Sequence, residues 1–168
     1  MEPLVSIIMG STSDMPVMEN TARILNDFKI PFEINALSAH RTPEEVEKFA
    51  KAAAARGIKV IIAAAGMAAH LPGVIASMTP LPVIGVPIKA SLEGVDSILS
   101  ILQMPPGIPV ATVGVNAALN AGILAAQIIG TGDEKVLKEV EKYKQSLKKK
   151  IVEANEDLKK VKFQYKTN

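Results

Sequence analysis

"IKVIIAAAGMAAHLPG", Ile58 to Gly73, is the stretch whose reading decides the fold. In its first eight residues, Ile58 to Ala65, Lys59 is the single polar side chain. A strand with one wet face alternates apolar and polar residues. One with apolar side chains on both faces must be covered on both, as in parallel sheets flanked by helices. Gly66 ends the run, and Pro72 can open a short helix, predicted near Pro72 to Met78.

The same strand, turn, helix grammar repeats outward. Leu4 to Met9 is a short Ile- and Val-containing run ending at Gly10-Ser11, read as a buried strand. Met15 to Phe28 has helical periodicity, with Asp14 a candidate N-cap and Pro16 tolerated in the first turn. Phe32 to Leu37 is the second strand. Thr42-Pro43-Glu44-Glu45 then supplies a cap, a proline at the first helical position and a glutamate at the third, for a helix running to Arg56 and stopping at Gly57. Downstream, Pro82 to Val86 and Val110 to Val115 read as the fourth and fifth strands. Asp96 to Leu102 and the Ala-rich Asn120 to Ile129 read as helices. The alternation predicts one α/β domain over residues 1–168, a five-stranded parallel sheet with helices on both faces.

The end of the chain differs. Val136, Val140, Tyr143, Leu147, Ile151, Ala154, Leu158 and Val161 step by three or four, and nine lysines lie between Lys142 and Lys166. This predicts an amphipathic helix over 133–162 with a solvated basic face. Glu153, Glu156 and Asp157 interrupt the positive charge, which disfavours a nucleic-acid or membrane surface. The apolar stripe is longer than a small sheet requires, so it is expected to pack on a neighbouring subunit.

Composition narrows the classes. The 168 residues are 48% hydrophobic and 21% charged, ordinary for a folded domain, and the net charge of +2 argues against general nucleic-acid binding. With no cysteine and two histidines, thiolate chemistry is excluded and a metal site is not expected. "MEPLVSIIMGS" lacks a basic start, and no run of 18 apolar residues occurs. A cytoplasmic protein that does not associate with membranes is expected.

In open parallel sheets, ligands bind beyond the carboxyl ends of the strands where strand order reverses. With the order 2-1-3-4-5, the loops "GSTSD" (Gly10 to Asp14), "SAHR" (Ser38 to Arg41) and "GMAAHLPG" (Gly66 to Gly73) share one rim. Both histidines of the chain, His40 and His70, therefore reach the same crevice. "GSTSD" offers hydroxyls, including Ser11 and Ser13, and backbone N–H groups at a helix start, suited to an anion. Asp14 reads either as a helix cap or as an acceptor for sugar hydroxyls. Arg41 reads either as a bidentate phosphate ligand or as a surface ion pair. An imidazole titrates near pH 6.5, the range for moving protons at neutrality, which favours His40 for catalysis. The chain has no G-x-x-x-x-G-K-[ST] loop and no G-x-G-x-x-G after its first strand. It places no aromatic in the rim loops to hold a flavin, and no acidic residue at the end of the first strand for a phospho-receiver.

Five motifs in order, "MGSTSDMPVM", "SAHRTPEEV", "AAHLPGVIAS", "PVIGVP" and "QMPPGIPVATV", resemble the N5-carboxyaminoimidazole ribonucleotide mutase family of purine biosynthesis, across roughly Leu4 to Ile129. The resemblance implies a three-layer α/β sandwich of flavodoxin-like order, a homo-octamer with sites completed by neighbouring subunits, and no metal or organic cofactor. It implies that the carboxylate of N5-carboxyaminoimidazole ribonucleotide moves to C4, an isomerase reaction. By the same resemblance Ser11 and Asp14 bind the ribose and phosphate, and Ser38 and Arg41 contact the phosphate region. His40 matches the proton-transfer residue and His70 the histidine beside the base. Gly66, Ala68, Ala69, Leu71 and Gly73 are candidate walls on the substrate side.

Two departures are visible. Many bacterial members carry Gly-Ala-Gly-Gly where this chain has Ala64-Ala65-Gly66-Met67, so Met67 is expected to narrow or reshape the pocket in which carbon dioxide, released and recaptured in the transfer, would be held. The loop Pro87 to Ser97 is about a residue shorter. Two alternatives stand beside the mutase. One is direct carboxylation of aminoimidazole ribonucleotide, a branch that tends to carry lysine at the position of Arg41. The other is a nucleotide-binding module without catalysis, which would not need both histidines.

Overall fold

The computed structural model describes residues 2–168. Five parallel strands, β1 (Val5–Met9), β2 (Phe32–Ala36), β3 (Val60–Gly66), β4 (Val83–Ile88) and β5 (Ala111–Thr112), form one sheet in the order β2-β1-β3-β4-β5. The register sets Val5 opposite both Phe32 and Val60, Ile61 opposite Val83 and Ile84 opposite Ala111. The helices are α1 (Met15–Asp27), α2 (Pro43–Ala53), α3 (Leu71–Met78), α4 (Val95–Leu102), α5 (Ala118–Gly130) and α6 (Glu134–Lys160).

Strand side chains alternate between faces, so one apolar run feeds two cores. Val5, Ile7 and Met9 of β1, with Val60, Ile62 and Ala64 of β3, pack under α1, α5 and the start of α6. Ile8, Ile61, Ala63 and Ala65 pack on the other face against α2, α3 and Ile101 of α4. This two-sided burial is the physical reason that Ile58 to Ala65 is so nearly free of polar residues. Small side chains set the first layer's spacing: a Cβ on Gly122 of α5 would lie 2.3 Å from Ile24 Cγ2 of α1. Beside that contact the buried Thr21 hydroxyl donates to Ala118 O at 2.7 Å, which satisfies it.

Three expectations about local structure are corrected. Asp14 makes no side-chain cap; a 3-10 turn at Thr12–Asp14 precedes α1 and is capped by Ser11, whose hydroxyl accepts from Ser13 N. Thr42 does not cap α2 through its side chain, because its hydroxyl turns back to Ser38, accepting from Ser38 N at 2.9 Å and donating to Ser38 O. The fifth strand shrinks from Val110–Val115 to two residues, since it sits at the edge and pairs only with β4.

Helix α6 begins firmly. Asp133 Oδ1 accepts from Lys135 N at 2.9 Å and Val136 N at 3.3 Å. Val136 and Val140 are buried, and Tyr143 meets Phe28 edge-on with centroids 5.6 Å apart. Beyond Tyr143 the stripe leaves the domain, and Ile151 is 66% exposed. No helix among the described residues is long and apolar enough to cross a membrane.

Candidate active site

At the carboxyl ends of β1, β2, β3 and β4 lies a cavity of about 440 Å³, within the usual range for a small-molecule site. Its lining includes Ser11, Ser13, Asp14, Ser38, His40, Arg41, Gly66, Ala68, His70 and Leu71. Of the sequence-derived site residues, Ala69 lies elsewhere: it is 1% exposed and belongs to the core over α2 and α3. The candidate wall Gly73 also faces away from the cavity, toward Met104, whose Sδ would lie 2.9 Å from an added Cβ.

The first wall is the turn after β1. Gly10 N donates to Ala64 O at 3.2 Å, which ties this turn to β3. The Ser13 hydroxyl reaches Ser11 Oγ at 2.8 Å and Asp14 Oδ1 at 3.4 Å; with one proton, it donates to one of them at a time. Asp14 is 8% exposed yet lines the cavity. Burial pushes its carboxyl above the ordinary value, opposed by hydrogen bonds from the Ser13 side chain and the Ser11 backbone. Released from capping, this carboxylate is free to accept from a ligand.

The second wall is the turn after β2, which folds on itself. Ser38 Oγ accepts from Arg41 N at 3.2 Å and Arg41 Nε at 3.4 Å, while Arg41 Nη2 donates to Gly10 O at 2.8 Å. The guanidinium is thereby laid across the mouth of β1. Arg41 pairs with no carboxylate among the described residues, leaving its charge for an incoming anion.

The third wall is the loop after β3. Gly66 must be small, because a Cβ there would lie 3.1 Å from Ala90 Cβ and 3.2 Å from Ile88 O. His70 N donates to Ala68 O at 2.8 Å, which orients the residue just before α3. His70 Nδ1 then sits 2.9 Å from His40 Nε2, the rings nearly perpendicular at 80°. A single proton can occupy that contact, so one nitrogen donates and the other accepts. Ala90, on the loop after β4, also lines the cavity and was missed by sequence reasoning. The signal was available, since β4 is the neighbour of β3 and its carboxyl end opens on the same rim.

Fold and site together define a doubly wound α/β protein with a hydroxyl-rich turn and a hydrogen-bonded imidazole pair at the strand-order switch. The chain belongs to the family described as AIR carboxylase, which matches residues 4–150. It is similar to the N5-carboxyaminoimidazole ribonucleotide mutase of Pyrococcus horikoshii, 57% identical over 153 residues, covering 90% of this chain and 86% of that protein. It also resembles the phosphoribosylaminoimidazole carboxylase of Schizosaccharomyces pombe, 53% identical over 160 residues, or 95% of this chain but 29% of the fungal one. A crystal structure of Treponema denticola PurE aligns with a TM-score of 0.83 and 36% identity, over 94% of this chain and 99% of that one.

Proposed function

We infer that this chain is an isomerase that moves the carboxylate of N5-carboxyaminoimidazole ribonucleotide from N5 to C4, giving 4-carboxy-5-aminoimidazole ribonucleotide. The observation that carries the reading is the His40–His70 contact of 2.9 Å beside an anion-binding turn. A site that only held phosphate would have no use for two imidazoles sharing a proton.

The phosphate is received by the hydroxyls of Ser11, Ser13 and Ser38 and by Arg41, with the positive end of α1 behind them. Asp14 accepts from the ribose hydroxyls. Those two anchors set the imidazole base of the substrate beside His40 and His70. His40, as its cation, protonates N5 of the carbamate; the N5–C bond breaks and carbon dioxide is released. C4 attacks that carbon, and neutral His40 removes the C4 proton, so the catalyst ends as it began. Acid–base help of this kind supplies about 10²–10⁴-fold. Holding carbon dioxide against C4 turns a bimolecular capture into an internal one, worth up to about 7–11 kcal/mol. The walls available for it are apolar or backbone: Gly66, Ala68 and Leu71.

The active form is a homo-oligomer, an octamer, working in the cytoplasm without a metal or organic cofactor. Its stripe Leu147, Ile151, Leu158 and Val161 is exposed in the single chain and is covered by a neighbouring subunit.

The test is an ultraviolet assay for the C4-carboxylated product from two mixtures. One holds N5-carboxyaminoimidazole ribonucleotide in bicarbonate-depleted buffer, the other aminoimidazole ribonucleotide with bicarbonate. Fast product from the first and slow product from the second is expected. The reverse would make the chain a direct carboxylase. No product from either would leave a binding module.

A further inference from the structure

Met67 is out of keeping with the loop that carries it. Its backbone is left-handed, at φ 55, a region that costs a side-chain-bearing residue strain and persists only where the surroundings impose it. Glycine would take this conformation freely. The side chain lines the cavity beside Ala68 and His70, yet it is 60% exposed. It therefore stands at the mouth and not within the wall. An unbranched thioether with three rotatable bonds can fold over a flat ligand from such a position.

We propose that Met67 is an apolar cap that retains carbon dioxide while it is between N5 and C4. The proposal rests on the carboxyl-transfer reading. When the N5–C bond breaks, its electron pair takes the proton from imidazolium and carbon dioxide leaves uncharged. Nothing charged or strongly hydrogen-bonded then holds it, so its fate is set by the walls. Recapture forms the C4–C bond and returns the C4 proton to the imidazole; escape leaves aminoimidazole ribonucleotide behind. Gly66, Ala68 and Leu71 line the cavity with short or buried groups, whereas Met67 is its one long, flexible and exposed apolar side chain among the described residues.

The experiment gives N5-carboxyaminoimidazole ribonucleotide to the parent, Met67→Gly and Met67→Leu in buffer containing ¹³C-bicarbonate. Mass spectrometry reads the labelled fraction of the C4-carboxylate, corrected by an enzyme-free blank. Escaped carbon dioxide is replaced from the labelled pool, so the fraction reports leakage and not rate. Met67→Gly is expected to raise it at least fivefold over the parent, and Met67→Leu to stay within twofold. Met67→Ala, which keeps the Cβ, is expected to leak as well and replaces the glycine variant if that fails to fold. Parent-like labelling in the glycine or alanine variant would overturn the cap, as would a leucine variant as leaky as glycine. A parent that converts none of the carbamate would overturn the carboxyl-transfer reading itself, a result distinct from intact transfer with unchanged leakage.

Discussion

The contact between His40 Nε2 and His70 Nδ1 allows the two rings to be dissected atom by atom. A glutamine amide reaches about as far as Nε2 of histidine, and an asparagine amide about as far as Nδ1. His40→Gln thus keeps a polar group against His70 but cannot accept and return a proton near neutral pH. The full acid–base contribution is expected to vanish, a fall in kcat of about 10²–10⁴-fold. KM should change little, because Arg41, Ser38 and the turn after β1 bond to one another and not to His40. His70→Asn keeps the hydrogen bond and should stay within about tenfold of the parent. His70→Ala removes it and leaves His40 unoriented. A hydrogen bond to a charged group is worth about 1.5–3 kcal/mol, so the loss is about 10- to 150-fold. The pair acts as a unit, so His40→Gln combined with His70→Ala should be hardly slower than His40→Gln alone. Steady-state rates with the carbamate, taken with single-turnover measurements, read all four. Near-normal turnover in His40→Gln would refute the assigned role. A fully multiplicative double variant would refute the shared-proton geometry.

Burial holds the Asp14 carboxyl above its ordinary value, so the folded chain binds that proton more tightly than the unfolded chain. The group's contribution to stability is best below the ordinary carboxylate range and declines as pH rises through the window up to the raised value. Asp14→Asn should therefore melt higher than the parent at pH 7, with the gap closing in scans near pH 3, while KM for nucleotide rises about 10- to 150-fold. A lower melting temperature at pH 7 would contradict this. The first turns of α6 cover the chain's own core through Val136, Val140 and Tyr143, so a cut after Thr131 would confound folding with assembly. Ending the chain at Gln145 spares those contacts and should lower the mass seen by light scattering; an unchanged mass would rule out the subunit contact. Gly122→Ala forces a methyl against Ile24, 2.3 Å from Cγ2, and should cost about 1–3 kcal/mol in denaturant titrations. A change near zero would mean that α1 and α5 slide apart freely.

The sheet was legible because its signal is collective. Six of the seven residues of β3 are buried, on two faces of the sheet, and the order β2-β1-β3-β4-β5 is a common one for open parallel sheets of this alternating pattern. The same order brings the loops holding His40 and His70 to one rim before any side chain is placed. What sequence missed was decided by single hydrogen bonds. Thr42 has the right identity and position for a cap, but Ser38 N competes for its hydroxyl and wins. Asp14 is likewise a good cap residue, yet Ser11 lies three residues earlier and opens a 3-10 turn first. Ala68 and Ala69 are identical in composition. Only the direction of the chain after Gly66 sends one to the cavity and the other to the core.

These small local outcomes bear on function, because a carboxylate that does not cap α1 keeps more of its acceptor sites for a ligand. Asp14 is at once buried, deprived of a helix role and raised in pKa, a combination that costs stability and that ordinary selection for folding would remove. Met67 carries the same signature in the backbone: a strained conformation where glycine would be easier. The two line one cavity together with the imidazole pair. Buried hydroxyls elsewhere in the chain are satisfied, as those of Thr21 and Ser97 are by backbone carbonyls. What marks the site is the coincidence in one cavity of a buried, raised carboxyl and a left-handed methionine, since the other left-handed residues, Lys29, Leu92, Glu93 and Asn116, do not line it. It points to Asp14 and Met67 on grounds independent of any resemblance.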